Sequence, residues 1–104
     1  MATRCTIKIE GVNYAKIYKH WDGYPDHMIP WLNDFNNDFN INRGPDSDYK
    51  FAQCLRFAQR KGNEFNLDNS NYTGWGVIPF DCDCGAEYEY TLTSEGVKVK
   101  TFYF

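Results

Sequence analysis

A histidine and an aspartate lie two residues apart in the segment YKHWDGYP, residues 18–25. A carboxylate beside an imidazole fixes the tautomer of the ring and holds its pKa up, which allows the histidine to act as a general base. Residues two apart in a strand point to the same side, so His20 and Asp22 could face each other. The pair is therefore the candidate catalytic centre of a small hydrolase-like enzyme.

The same segment is also explained as a structural corner. Asp22 and Gly23 are typical of a tight turn, and Pro25 is favoured in the first turn of a helix. In this interpretation Asp22 is a turn or capping residue and Trp21 belongs to the core. Because turn chemistry already accounts for the aspartate, the glycine and the proline, the sequence favours a corner, which could also form the rim of a pocket.

Two cysteines at alternate positions, Cys82 and Cys84, are the strongest indication of a metal site. Their thiolates could share one side of an extended segment, and Cys5 or Cys54 could complete a tetrahedral site. Structural zinc sites, however, usually present Cys-x2-Cys pairs, and Cys5 and Cys54 fall in apolar stripes that suit buried free thiols. The nucleotide-binding, nucleophile-elbow and HExxH motifs of common enzyme classes are absent from the sequence. We therefore expect no metal, no cofactor and reduced cysteines.

Acidic residues form the first candidate binding surface, which would contact a protein. They occupy the outer face of the first predicted helix and alternate positions of a later extended segment: Asp34, Asp38, Asp81, Asp83, Glu87 and Glu89. In the extended segment they either protect a sheet edge from aggregation or dock against a basic protein surface. The docking hypothesis requires the acidic helix to lie beside this ridge.

Aromatic residues and arginines form the second candidate binding surface, which would hold a small nucleotide. Ring stacking together with an arginine pair is the minimum that such a ligand requires. The candidate residues are Tyr18, His20, Trp21, Tyr24, Arg56 and Arg60. The two arginines lie one helical turn apart and could instead pair with acids of their own helix. Glycines on both sides of Trp75 would let a flat ligand approach its ring, or would form a bulge in the strand.

The spacing of apolar residues predicts the elements that position these groups. Alternating polar and apolar residues predict a hairpin of two strands, at residues 5–9 and 15–20. Helical spacing predicts an amphipathic helix from Asp26 to about Phe39, with Pro30 either at its beginning or in an irregular first turn. A second helix follows, with Asp46 or Ser47 as its cap and Gly62 as its end.

Strand patterns return in the last third of the chain, in WGVIPF, EYEYTLT and VKVKTFYF. The order β-β-α-α-β-β-β lacks βαβ alternation, so we predict a single α+β domain over residues 1–104. Its antiparallel sheet of about five strands carries both helices on one face, where Phe35, Phe51 and Leu55 should meet the sheet. The residues expected on that face of the sheet are Cys5, Ile7, Ile9, Ile17, Tyr88, Tyr90, Leu92, Val97 and Val99.

Composition limits the classes of function. The chain has 104 residues, of which 42% are hydrophobic, and this is enough to bury one core. A net charge of −3 argues against a protein that binds nucleic-acid backbones without sequence preference. The N-terminal segment lacks the apolar centre of a signal peptide, and no apolar run approaches membrane-spanning length. We expect a cytoplasmic protein without a membrane partner, which could form a homo-oligomer through its terminal strand.

Three stretches resemble a family of small, mostly uncharacterised proteins that bacteria, phages and prophages encode. They are YKHWDGYP with the helix that follows it, YKFAQCLRFAQR, and NYTGWGVIPFDCDCGAEYEYTL, residues 71–92. The family brings no established catalytic residues. The resemblance implies an accessory protein of a mobile element, and such proteins commonly bind and block components of host defence. The leading hypothesis is therefore a non-enzymatic inhibitor that binds a host protein or sequesters a nucleotide signal. A hydrolase-like enzyme and a housekeeping interaction module are the alternatives.

Overall fold

A computed structural model describes residues 3–62, 74–82 and 84–102, apart from the side chains of residues 60–62. The chain folds as an α+β domain, and its elements follow the predicted order. They are β1 (Cys5–Ile9), β2 (Ala15–Lys19), α1 (Pro25–Asn42), α2 (Ser47–Gly62), β3 (Trp75–Pro79), β4 (Tyr88–Thr93) and β5 (Gly96–Thr101).

The five strands form one open sheet in the order β3-β2-β1-β4-β5. The pairs β1–β2, β2–β3 and β4–β5 are antiparallel, as predicted, but β1 and β4 are parallel, with Cys5 opposite Tyr88 and Ile9 opposite Leu92. The sheet is mixed because β3 and β4 lie on opposite sides of the β1–β2 pair. The connection from β3 to β4 is therefore a crossover and not a hairpin, and a crossover preserves strand direction.

The first helix begins earlier and ends later than the periodicity indicated. Tyr24 is its N-cap residue, and Pro25 occupies the first turn, where its missing N–H has no cost. Pro30 lies inside the helix and is exposed, so the chain continues through it in helical conformation. At the other end, the backbone N–H of Arg43 donates to the carbonyl oxygen of Phe39 over 2.8 Å, which extends the helix to Asn42.

The second helix begins and ends where the sequence predicts. The carbonyl oxygen of Asp46 accepts from the backbone N–H of Lys50 over 2.9 Å, so Asp46 is the residue that precedes the helix. The hydroxyl group of Ser47 donates to the carbonyl oxygen of Glu10 over 3.0 Å. This bond ties the beginning of α2 to the connection between β1 and β2.

Both helices cover one face of the sheet, and the core lies between the helices and the sheet. The buried apolar residues are Cys5, Ile7, Ile9, Ile17, Tyr90 and Leu92 from the sheet and Met28, Trp31, Leu32, Phe35, Phe39, Cys54 and Ala58 from the helices. Phe51, Leu55, Tyr88 and Val97 pack against this core while partly exposed, which confirms the predicted contacts. Val99 is 43% exposed because β5 is an edge strand. Neither described helix is both long and apolar enough to cross a membrane.

Candidate functional site

The segment YKHWDGYP forms a corner that is fixed to the core. Strand β2 ends at Lys19, and Asp22 adopts the left-handed conformation with φ of 55°. Gly23 is buried, and its backbone passes so close to β1 that an added Cβ would lie 2.7 Å from Cβ of Cys5. The hydroxyl group of Tyr90 donates to the carbonyl oxygen of Gly23 over 2.6 Å. The arrangement supports the interpretation of this segment as a structural corner.

His20 and Asp22 do not form the pair that the catalytic hypothesis needs. The Nδ1 atom of His20 lies 2.9 Å from the hydroxyl oxygen of Tyr18, and the imidazole meets the ring of Trp21 edge-on at 5.1 Å. Asp22 is exposed at the turn. Strand β2 ends at Lys19, so the alternation of a strand does not place His20 and Asp22 on one side. Within the described ranges, no hydrogen bond joins these two side chains.

Trp21 is not part of the core, contrary to the expectation for a corner. Its side chain is 48% exposed and lies against the backbone of Gly74, where an added Cβ would come within 2.4 Å of the indole. Gly74, which precedes Trp75, therefore leaves space for the ring of Trp21 and not for a ligand on Trp75. Trp75 itself packs edge-on against Trp31 at 6.0 Å, and the ammonium group of Lys19 lies 4.9 Å above its ring.

The predicted nucleotide-binding residues do not converge. Tyr18 lies on the face of the sheet that is opposite the helices, whereas Arg56 belongs to α2. Tyr24 is 41% exposed at the beginning of α1, where its ring contacts that of His27 at 5.9 Å. The side chain of Arg60 lies outside the described residues. Tyr18 and Arg56 are thus on different faces of the sheet, and none of the four aromatic residues is among the described residues that line a pocket with Arg56.

The predicted acidic surface is also divided between two faces. Glu89 is only 9% exposed, and its carboxylate binds Lys8 at 3.1 Å and Lys16 at 3.4 Å. Burial raises the pKa of Glu89, but hydrogen bonds from Lys8 and Thr6 and the charges of both lysines outweigh burial, so the pKa lies below its ordinary value. Glu89 is therefore an internal ion-pair partner and does not form part of a docking surface.

The other predicted acids confirm this division. Asp81 is exposed beside Glu89 on the face of the sheet without helices, and Glu87 is half-buried at the beginning of β4. Asp83 lies outside the described residues. Asp34 and Asp38 are exposed on α1, on the other side of the sheet. The acidic helix and the acidic ridge do not lie side by side.

A groove between α1 and α2 gathers the remaining candidate residues. It has a volume of about 540 Å³, and its apolar walls are Phe35 and Phe39 from α1 and Tyr49 and Phe57 from α2. The rings contact across the groove: Phe35 and Phe57 have centroids 5.8 Å apart, and Phe39 and Tyr49 are 5.9 Å apart. Phe57 is nevertheless 44% exposed and Tyr49 is 41% exposed. The groove thus presents aromatic faces to solvent.

Charged residues form the rim of this groove. Asp34 and Asp38 line it from α1, Arg43 lines it at the end of α1, and Arg56 lines it from α2. The positive charge of Arg43 is paired with Asp46, whose carboxylate oxygen lies 3.7 Å away. The guanidinium group also lies 4.6 Å from the ring centroid of Tyr49. Asp34 and Asp38 take part in none of the ion pairs found among residues 3–62, 74–82 and 84–102. Two carboxylates of the lining therefore lack an ion-pair partner among the described residues, and Arg56 is the remaining cation of the described lining.

The core pattern of α2 does not predict the aromatic wall, because the residues of that wall form a second stripe on the helix. The core stripe of α2 contains Cys54 and Ala58. Tyr49, Gln53 and Phe57 repeat at intervals of four residues, and all three line the groove. Such spacing places side chains on one face of a helix. A second aromatic stripe on a helix whose first stripe is already buried was the available signal.

The four cysteines divide into two kinds. Cys5 and Cys54 are fully buried, and burial raises the pKa of each thiol to about 12. Cys82 and Cys84 are half-buried and line a pocket on the face of the sheet without helices. Among the described residues, no three His, Cys, Asp or Glu side chains come together as a metal site would require. Thiol chemistry therefore has no evident role in the groove.

No protein-family model, curated protein or solved structure matches this chain. The groove between the helices is the candidate functional site because it combines exposed aromatic rings with unneutralised charge.

Proposed function

We propose that this chain is a non-enzymatic binding protein that holds a segment of a partner protein in the groove between α1 and α2. The observation that carries the proposal is the exposure of Phe57 and Tyr49 at 44% and 41%, beside two carboxylates without an ion-pair partner in the described part of the chain. Large exposed aromatic side chains in a groove are typical of binding hot spots. The groove also has the volume of a pocket that buries one or two large side chains.

The chemistry of the groove defines the partner segment. Its aromatic walls require apolar anchor residues, and Asp34 and Asp38, one helical turn apart, require lysine or arginine beside those anchors. From Asp34 to Arg43 the α1 wall measures about 14 Å along the helix axis, since each residue adds about 1.5 Å. The expected occupant is an amphipathic segment of two to three helical turns with a basic flank.

The resemblance to phage and prophage proteins extends this proposal to a biological role. In that role the partner is a component of a host defence system, which the bound protein blocks. A housekeeping interaction module would use the same groove, so the identity of the partner distinguishes the two. The chain's cytoplasmic location and its possible self-association through β5 belong to the same proposal.

Two other hypotheses receive less support from the geometry. A hydrolase based on His20 would need an orienting carboxylate, whereas the described partner of its Nδ1 atom is Tyr18. A nucleotide site would need the aromatic corner beside Arg56, but Arg56 shares its groove with Asp34 and Asp38, whose charges repel phosphate. A protein segment fits the groove better than either ligand.

The proposal is tested by capturing a partner from lysate of the bacterial host and measuring its affinity after purification. Phe57→Ala removes a ring from the groove, and Ile41→Ala is its matched control, because Ile41 is 82% exposed on α1 but does not line the groove. We expect Phe57→Ala to weaken binding about 10-fold to 100-fold, as truncation of a hot-spot aromatic does, and Ile41→Ala to leave it unchanged. Equal effects of the two variants would contradict the proposal.

A further inference from the structure

A second pocket lies on the face of the sheet that carries no helix. Residues 80–82, 84 and 86 of the connection between β3 and β4 line a pocket of about 360 Å³ on this face, together with residues of the central strands and of β5. Its lining includes Thr6, Lys16 and Glu89 from the central strands and the rings of Phe80 and Phe102 at its sides. The pocket is separated from the helix groove by the full thickness of the sheet, so it needs an explanation of its own.

Among the described residues that line the pocket, positively charged groups outnumber negatively charged ones. Three lysines line it, and the ammonium groups of two of them lie over its aromatic walls: Lys8 is 4.3 Å from the ring centroid of Phe80, and Lys100 is 5.0 Å from that of Phe102. The described acids in the lining are Asp81 and Glu89. Because the protein as a whole has a net charge of −3, an excess of lysine in one pocket is a local feature of this face.

Lys16 is the most deeply buried of the three lysines in this lining. Its side chain is 9% exposed, and its described hydrogen bond, of 3.4 Å, goes to Oε2 of Glu89. That same oxygen already accepts from the hydroxyl group of Thr6 over 3.0 Å, while Lys8 neutralises Oε1 over 3.1 Å. An ammonium group has three N–H donors, so two donors of Lys16 lack an acceptor among the described residues. Burying donors in this state is unfavourable unless something in the pocket accepts from them.

We infer that this pocket binds a phosphate group. A phosphate presents three acceptor oxygens and up to two negative charges, so it can accept from Lys16 at the floor and from Lys100 at the rim at the same time. Asp81 and Glu89 are the acids among the described lining residues, and the three lysines Lys8, Lys16 and Lys100 outnumber them, so the described lining attracts an anion. The pocket is larger than a phosphate ion, and its aromatic walls leave room for the organic part of a phosphate monoester.

Titrations with inorganic phosphate and with adenosine monophosphate, followed by NMR at low ionic strength, test the inference. Sodium chloride at matched ionic strength separates specific binding from screening. Lys16→Met removes the buried ammonium group, and Lys100→Met removes an exposed one that no core packing requires. Lys98→Met is the matched control, since Lys98 is an exposed lysine of the same strand that does not line the pocket.

We expect saturable binding that Lys16→Met and Lys100→Met each weaken about 10-fold or more, while Lys98→Met changes it less than about twofold. Tighter binding of the monophosphate than of inorganic phosphate identifies the natural ligand as a phosphate ester, and equal binding identifies it as the free ion. If Lys16→Met does not fold, Lys100→Met decides the question. Absence of saturable binding at about 20 mM of either probe, or binding that neither variant weakens, would overturn the inference. The helix groove is not involved, so either outcome leaves the proposed function untouched.

Discussion

The hydroxyl group of Tyr90 donates a 2.6 Å hydrogen bond to the carbonyl oxygen of Gly23, and both residues are buried. The bond joins β4, which pairs in parallel with β1, to the corner that leads into α1. It therefore fixes where the first helix leaves the sheet, and with it one wall of the groove.

Tyr90→Phe removes this hydrogen bond and keeps the ring. The carbonyl oxygen of Gly23 is then buried without its described partner, so we expect the free energy of unfolding to fall by about 1–3 kcal/mol. Urea denaturation measures the change. Tyr88→Phe, at the half-buried position two residues earlier on the same strand, is the control, and it should cost clearly less. An equal loss of unfolding free energy in both variants would show that the hydrogen bond to Gly23 does not stabilise the fold.

Gly23→Ala tests the close packing of the corner. The added Cβ would lie 2.9 Å from both the carbonyl oxygen of Thr3 and the backbone nitrogen of Cys5, where no flexible side chain can move aside. We expect a loss of about 1–3 kcal/mol in the free energy of unfolding, as for other overpacked sites. Gly76→Ala is the control, because nothing lies within 4 Å of its added Cβ. A stable Gly23→Ala variant would mean that β1 and the corner are further apart.

The lowered pKa of Glu89 predicts how the free energy of unfolding depends on pH. Its pKa in the folded state lies below the ordinary value of 4.5, so its ion pairs stabilise the fold above that pH and are lost as the pH falls through the folded pKa. Glu89→Gln should therefore lower the free energy of unfolding at pH 7, by about 2 kcal/mol, and have little effect near pH 2. Urea denaturation at both pH values gives the comparison. Glu95→Gln, at an exposed site, is the control, and a difference at Glu89 that does not change with pH would contradict the assignment.

The burial of two of the four thiols predicts that the cysteines differ in their rate of alkylation. With pKa values of about 12, Cys5 and Cys54 carry almost no thiolate at pH 8, and both are fully buried. Iodoacetamide should therefore modify Cys82 and Cys84 in the native protein and spare Cys5 and Cys54 until urea unfolds the chain. Peptide mass mapping reads this directly. Native-state alkylation of Cys54 at the rate of Cys82 would show that α2 does not pack on the sheet as described.

Local patterns in the sequence predicted the elements and the helix-facing side of the sheet, because each depends on the period of neighbouring residues. They did not predict the parallel pairing of β1 with β4, since the choice between a hairpin and a crossover at residues 80–87 depends on distant strands. Glu89 was misplaced for the same reason. Alternation marked it as exposed, whereas Lys8 and Lys16 from two other strands bury and neutralise it.

The groove shows a similar limit on prediction. Asp34 and Asp38 were identified from the acidic face of one helix, but their aromatic neighbours come from the other helix. Only the packing of α1 against α2 places Phe57 and Tyr49 beside them. The spacing of Arg56 and Arg60 within one helix predicts a phosphate site. Asp34 and Asp38, which come from the other helix and line the same groove as Arg56, disfavour a phosphate there.

Selection of random peptides on the intact protein tests the central claim most directly, because the peptides report the chemistry of the groove whatever the natural partner is. Peptides of about 15 residues can form the two to three helical turns that the groove accommodates. We expect selected peptides to carry apolar residues at helical spacing, with lysine or arginine beside them. Their binding should shift the amide resonances of the groove residues and be lost in the double variant Asp34→Lys, Asp38→Lys. Acidic peptides, or peptides whose binding shifts resonances of the sheet and survives this charge reversal, would contradict the claim.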